Sequence, residues 1–179
     1  MSTLANAAWA SVLTYSGALL RQSYDLSPAV VALALGAMAV AMLPGTFSAR
    51  RRAAHATPAL LAALTALQGC SVLVLGAVRP AAALTLAVLG LMAFVNGWRS
   101  MVASALGMDT APEDKVAMMS MRAAANQFGY LLGAAVGGAA LAVAGFTGMG
   151  VTLAAMFAAA VLVHVPAVVP ARMPLPQEA

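Results

Sequence analysis

Apolar runs separated by short clusters of charge, proline and glycine divide the chain into six segments. Helices are expected at about 4–20, 27–49, 58–78, 81–106, 111–144 and 151–169, followed by a disordered tail over 170–179. The first segment is the least apolar, being interrupted by Asn6, Ser11, Thr14, Tyr15 and Ser16. Ser27 followed by Pro28 is a helix start, since proline is tolerated in a first turn. Pro44 and Gly45 are expected to loosen the last turns of the second helix. Arg79 with Pro80 marks a tight reversal, and a second reversal is expected over 145–150. Thr110, Ala111, Pro112 and Glu113 fit a capping box, which places the start of the fifth helix there.

The fifth segment carries the clearest face. The 22 residues from Ala123 to Ala144 hold no charge, enough to cross a bilayer's hydrocarbon core as one helix. At 100° per residue, Asn126, Gly129, Tyr130, Gly133, Gly137, Ala140 and Ala144 fall on one side. Phe128, Leu131, Leu132, Ala135 and Val136 fall opposite. Each glycine costs about 1 kcal/mol of helix propensity against alanine. In lipid such a strip has a use, because small residues four apart let two backbones approach closely. Gly129, Gly133 and Gly137 are therefore expected to pack against another helix, with the opposite face toward lipid.

Composition places these helices in a membrane. Of 179 residues, 63% are hydrophobic and 8% charged, against about 25% charged in an average soluble domain. The expected fold is an all-α membrane protein of six transmembrane helices, arranged as two inverted three-helix repeats. The net charge of +4 is no nucleic-acid signal, since Arg21, Arg50, Arg51, Arg52 and Arg79 sit in short connections. Basic residues in such connections set orientation. A cytoplasmic N-terminus puts Arg50, Arg51, Arg52, Arg99, Lys115, Arg122 and Arg172 inside, and only Arg21 and Arg79 outside. A multi-pass protein of the cell (inner) membrane with both termini cytoplasmic is expected. MSTLANAAWA has no basic n-region and does not read as a cleavable signal peptide. A single cysteine, Cys70, allows neither an intrachain disulfide nor a thiolate metal cluster.

Two stretches carry a family likeness. TAPEDKVAMMSMRAAANQFGYLLGAAVGGAA, from Thr110 to Ala140, resembles the loop and helix that open the last two spans of major facilitator superfamily transporters. Its drug/proton and sugar-efflux-like members are the nearest in pattern. LSPAVVALALGAMAVAMLPGTFSARRR, from Leu26 to Arg52, resembles that family's eighth span running into its cytoplasmic loop. Of the loop signature G-x-L-x-D-R-x-G-R-R, Gly45, Phe47 and Arg50 fall in register, within a motif region that also includes Arg51 and Arg52. Ala49 occupies the acidic position and Arg52 the place of a glycine, so the family's acidic latch is not expected. The resemblance implies the carboxy-terminal six-helix half of a twelve-helix transporter. It implies that the first and fourth helices line a cavity, the second and fifth flank the other half, and the third and sixth face lipid. A chain of this length would then be a fragment, a split half, or a unit that pairs with a second copy. The implied function is alternating-access movement of a small molecule by a secondary efflux transporter. The alternative is a non-transporting membrane fragment or assembly partner without a substrate site of its own.

Candidate chemistry is sparse. All five carboxylates (Asp25, Asp109, Glu113, Asp114, Glu178) lie in connections or the tail, whereas intramembrane acids are the usual proton carriers of secondary transporters. Arg99 is the one charge interrupting the fourth segment. Counting 1.5 Å per residue from Pro80 places it about 28 Å along, at the inner interface. It is read either as an orientation-setting residue that snorkels, or as a cavity cation meeting an anionic substrate or an acid of another half. Thr85, Asn96, Arg99 and Ser100 share a face. Asn96 and Asn126 lie at similar depths and read either as an interhelical hydrogen bond or as substrate contacts. Ser11, Tyr15, Gln127 and Tyr130 complete the polar groups with access to a cavity, while Gln68 reads as a packing contact. His164 is read as an interfacial or hydrogen-bonded histidine, with a pH switch as the alternative. Arg50, Arg51 and Arg52 fix topology or bind anionic lipid headgroups, and Met118, Met119 and Met121 fit core packing. No HExxH, G-x-S-x-G or Walker motif is present, so no catalytic residue, metal or cofactor is expected. The expected partners are membrane lipid, a small-molecule substrate, and a second six-helix half or a second copy, with no nucleic acid.

Overall fold

The structure, a computed structural model, describes residues 2–51, 55–79, 81–110 and 113–163. Five helices are present among them: α1 (Ser2–Tyr24), α2 (Pro28–Arg50), α3 (Pro58–Ala77), α4 (Ala82–Thr110) and α5 (Lys115–Leu162). There is no strand among the described residues. Helices α2 to α5 are each long and apolar enough to cross a membrane. These are the dimensions and composition of a membrane-spanning protein. His164, Arg172, Glu178 and the expected tail lie outside the described residues, as do Arg52 and Pro80.

The helix starts follow from side-chain caps. Ser27 accepts from the Val30 amide, Thr57 from Leu60 and Asp114 from Ala117, and proline holds the first turn of α2 and of α3. Each cap satisfies one of the amides that a helix N-terminus leaves without an internal partner. Three expected boundaries move. Helix α1 continues to Tyr24, four residues past the expected end. Helix α4 continues to Thr110, four residues past the expected end, and α5 starts at Lys115 under the Asp114 cap rather than at the box beginning with Thr110. Helix α2 also runs through Pro44 and Gly45 to Arg50. Gly45 is thus helical as expected, and Arg50 ends the helix one residue past the expected boundary.

At 48 residues α5 would be about 72 Å long if straight, twice the thickness of a hydrocarbon core. It is not straight. Ala144 (φ −134°, ψ 20°) and Gly145 (φ 61°, ψ −163°) are non-helical, and Gly145 occupies the left-handed region that glycine enters without a Cβ clash. Contact registers show what the break does. Gly129, Gly133 and Gly137 of α5 approach Thr3, Ala7 and Ser11 of α1 in the same order, so the first arm runs parallel to α1. Asn6 bonds Arg99 while Tyr24 bonds Thr85, which makes α1 antiparallel to α4. Gln68 reaches Asn96 while Leu61 packs with Val102, so α3 is antiparallel to α4 as well. On the second arm, Gly69 approaches Phe157 and Gly76 approaches Gly150, an antiparallel register with α3. The two arms of α5 therefore run in opposite directions, and the reversal expected at 145–150 is made at Ala144–Gly145.

Three tight pairings hold the bundle: α1 with the first arm of α5, α2 with α4, and α3 with the second arm of α5. Each is closed by glycine. A Cβ at Gly133 would overlap the carbonyl oxygen of Ala7, one at Gly45 that of Phe94, and one at Gly76 would lie 2.7 Å from the Gly150 Cα. The core runs along α1, where residues 5–12 are all buried, and along α4. Apolar side chains also cover the outside, including Leu33 and Phe47 of α2 and Phe128, Leu131 and Val143 of α5. An apolar rim on a well-packed bundle is the arrangement expected when lipid is the solvent. The expected lipid face of α5 holds for Phe128, Leu131 and Ala135, whereas Leu132 and Val136 are half-buried.

Candidate functional site

The polar face of α4 points into the bundle. Thr85, Asn96 and Arg99 are all buried, and Arg99 is 2% exposed. This corrects the snorkelling reading of Arg99, whose guanidinium is covered by the bundle rather than reaching a surface. Its Nη2 donates to Oδ1 of Asn6 on α1 and, at 3.0 Å, to Oδ1 of Asn96 one turn earlier on its own helix. Asn96 Oδ1 also accepts from Gln68 Nε2 of α3 at 3.4 Å. Asn6 in turn donates through Nδ2 to Oδ1 of Asn126 on α5. One network thus joins α1, α3, α4 and α5 around a single cation.

Its depth follows from α3. Gln68 is the eleventh of twenty residues there, so it lies about 15 Å from either end of that helix. Asn96 is bonded to it, whereas Arg99 lies one turn further toward the Leu61–Val102 contact and bonds Asn6, the fifth residue of α1, so the guanidinium sits inside the bundle nearer the end where α1 and α3 begin.

The electrostatics are one-sided. Arginine stays protonated in proteins, and the partners of Arg99 among the described residues are neutral amides. Asp25, Asp109, Glu113 and Asp114 are exposed in the connections. A second cation, Arg122 of α5, donates to the backbone oxygen of Ser100 at 3.2 Å, on the residue next to Arg99. Charged hydrogen bonds contribute about 1.5–3 kcal/mol each, while effective desolvation of a buried ion costs several kcal/mol. Two amide oxygens leave that cost only partly offset. Two groups in the network also lack partners: Arg99 Nε and Gln68 Oε1 are both buried with no hydrogen bond.

The other expected site residues divide into three groups. Asn96 and Asn126 belong to the network, linked through Arg99 and Asn6 rather than to each other. Ser11 and Tyr15 do not open onto a substrate-sized cavity. Ser11 donates to Gly133 O and Tyr15 to Ala134 O at 2.7 Å, so both fasten α1 to the glycine face of α5. Gln127 and Tyr130 are exposed on the outer side of α5, and Tyr130 leaves the glycine face for that reason. Gly129, Gly133 and Gly137 are buried against α1, as the helical phase implies. Arg50 and Arg51 are exposed at the end of α2.

The residues missed by inspection are Asn6 and Gln68 as network members, together with Gly76 and Gly150 at the α3–α5 contact. Asn6 shares a helical face with Tyr24, which bonds Thr85 of the polar α4 face. The shared phase is legible in the sequence, but that it faces α4 is not.

An interior cavity lies elsewhere, between Tyr15 and Ser16 of α1, Val72 of α3, Leu89 of α4 and Phe146 of α5. Its free space of about 20 Å³ suits one water rather than a substrate. Among the described residues no group of three His, Cys, Asp or Glu side chains is placed to hold a metal ion. Comparison of the chain with protein-family models, with curated proteins and with solved structures finds no match.

Proposed function

We propose that the chain is one half of a secondary transporter of the major facilitator type, crossing the cell (inner) membrane six times with both termini cytoplasmic. The observation that carries this reading is the symmetry of the pairings. If the first three helical segments and the last three are inverted repeats, exchanging them turns the pair α1 with the first arm of α5 into the pair α4 with α2. Both pairs are present, and each is closed by a glycine against a carbonyl, Gly133 on Ala7 and Gly45 on Phe94. Under the same exchange α3 and the second arm of α5 swap, and their contact is reciprocal, since a Cβ added to either Gly76 or Gly150 would lie 2.7 Å from the other's Cα. Inverted repeats around a mid-depth polar site are a common plan of secondary transporters. The Arg99 network supplies a buried polar cluster between the two units.

Because the three tight pairings all join the first three-helix unit to the second, the six helices move as one body, and alternating access consists of that body rocking against a second half or a second copy. The cavity beside Tyr15 holds no more than one water, so the substrate site is completed by a second half or a second copy facing this chain. The same small cavity, with no carboxylate at membrane depth among the described residues, favours a second reading as a non-transporting assembly partner. Proteoliposome uptake separates the two. Chain reconstituted alone and with a complementary six-helix half is expected to move a labelled amphipathic or sugar-like solute in the paired form. No movement of any solute in either form leaves the assembly-partner reading.

A further inference from the structure

We infer that Arg99 binds the carboxylate of a small organic anion, which makes a monoanionic amphiphile the solute class of this site. The inference rests on the transporter reading for its meaning but on the network for its evidence. The Arg99 guanidinium is held inside the bundle, with Arg122 bonded to the next residue's carbonyl and no acid of its own chain against it among the described residues. It keeps a buried donor, Nε, without an acceptor. One positive charge in a low-dielectric interior is balanced by one negative charge, and a carboxylate is the planar acceptor that matches the guanidinium fork. The surrounding amides of Asn6, Asn96 and Gln68 are neutral, so they add hydrogen bonds without competing for the charge.

A small molecule fits the enclosure better than an acidic side chain of another protein. Arg99 is walled in by α1, α3 and α4, and the α1–α5 side is closed at its level by the hydrogen bond between Asn6 and Asn126. Asn126 is half-buried, with Gln127 and Tyr130 exposed beside it. Breaking that side-chain bond, with the glycine contacts between the α1 and α5 backbones kept, opens a polar way in for a solute of a few atoms.

The test is thermal unfolding of the purified chain in mild detergent with sodium lactate, benzoate or phosphate, or with tetraethylammonium chloride, at fixed ionic strength with chloride as the balancing anion. Lactate or benzoate is expected to raise the midpoint saturably, as a ligand of the folded state does. Arg99→Met is expected to abolish that rise while melting at or above the unsubstituted midpoint, since it removes an uncompensated buried charge. Three results overturn the inference. One is a rise retained in Arg99→Met, which places the anion elsewhere. Another is a response to phosphate or tetraethylammonium but not to carboxylates. The third is no response to any probe, which leaves the charge to an acid of a protein partner. Should Arg99→Met not fold, Asn6→Asp serves instead. It puts a carboxylate in reach of Arg99 and is expected to raise the midpoint without added anion and cancel the carboxylate response. An unchanged response counts against the site. Carboxylate-dependent stabilisation without flux in proteoliposomes breaks the transport reading and leaves the site standing. Flux of a neutral solute with no carboxylate effect does the reverse.

Discussion

Gly133→Leu is expected to lower unfolding stability in detergent by about 3 kcal/mol or to prevent folding outright. A Cβ at this position would overlap the Ala7 carbonyl oxygen and lie 2.7 Å from the carbonyl carbon and 2.9 Å from the Cα. All three atoms are backbone, so no rotamer change relieves the contact. The helices α1 and α5 must instead move apart by roughly 1 Å or more to reach ordinary carbon contact. That separation also stretches the bonds of Ser11 to Gly133 and of Tyr15 to Ala134. In lipid this loss is not made good by hydrophobic collapse, because packing itself drives helix association there. The proper control is Leu131→Ala, on the exposed face, expected to stay within about 0.5 kcal/mol. Leu132 is half-buried and is the poorer control. Thermal melts followed by circular dichroism read both, and equal effects would mean that the packed face is wrongly assigned.

Gly45→Leu is expected to cost as much as Gly133→Leu, although the two glycines sit in different helices with different neighbours. Its Cβ would overlap the Phe94 carbonyl oxygen and stand 2.9 Å from the carbonyl carbon. Thr46 and Trp98 are drawn in as well. Thr46 Oγ1 lies 2.9 Å from where a Cβ of Gly97 would stand, and Trp98 Nε1 donates to Ser48 Oγ at 2.7 Å. Gly36 lies in the same helix with nothing within 4 Å of its Cβ position. Gly36→Ala is therefore expected to leave stability unchanged or raise it by up to about 1 kcal/mol through helix propensity. Opposite signs at two glycines nine residues apart separate close approach from any general intolerance of α2 to substitution. A loss at Gly36 as large as that at Gly45 would contradict the assignment.

Helical phase made much of this legible. The shared face of Thr85, Asn96 and Arg99 and the glycine strip of α5 both follow from 100° per residue, and both are buried. What those faces meet is not a local property. Asn6 reaches Arg99 across 93 positions and Gln68 reaches Asn96 across 28, so neither pairing leaves a periodic trace. For the same reason Gly45, Gly76 and Gly150 look unremarkable in sequence. Close approach belongs to a pair of helices, and a single glycine in one of them shows only half of it. The burial of Arg99 is a property of the same kind, since a count from one loop gives its position along α4 and not what covers it. Gly145 shows the converse case. One residue in the left-handed region was enough to divide a 48-residue helix into two arms that run in opposite directions.

Reporter fusions test the map most directly, with one placed near Arg51 and the other after Ala179. Six crossings, with the chain reversing at Ala144–Gly145, predict both reporters on the cytoplasmic side. Reporters on opposite sides would mean that α5 does not cross twice, and the inverted-repeat account would fall with it.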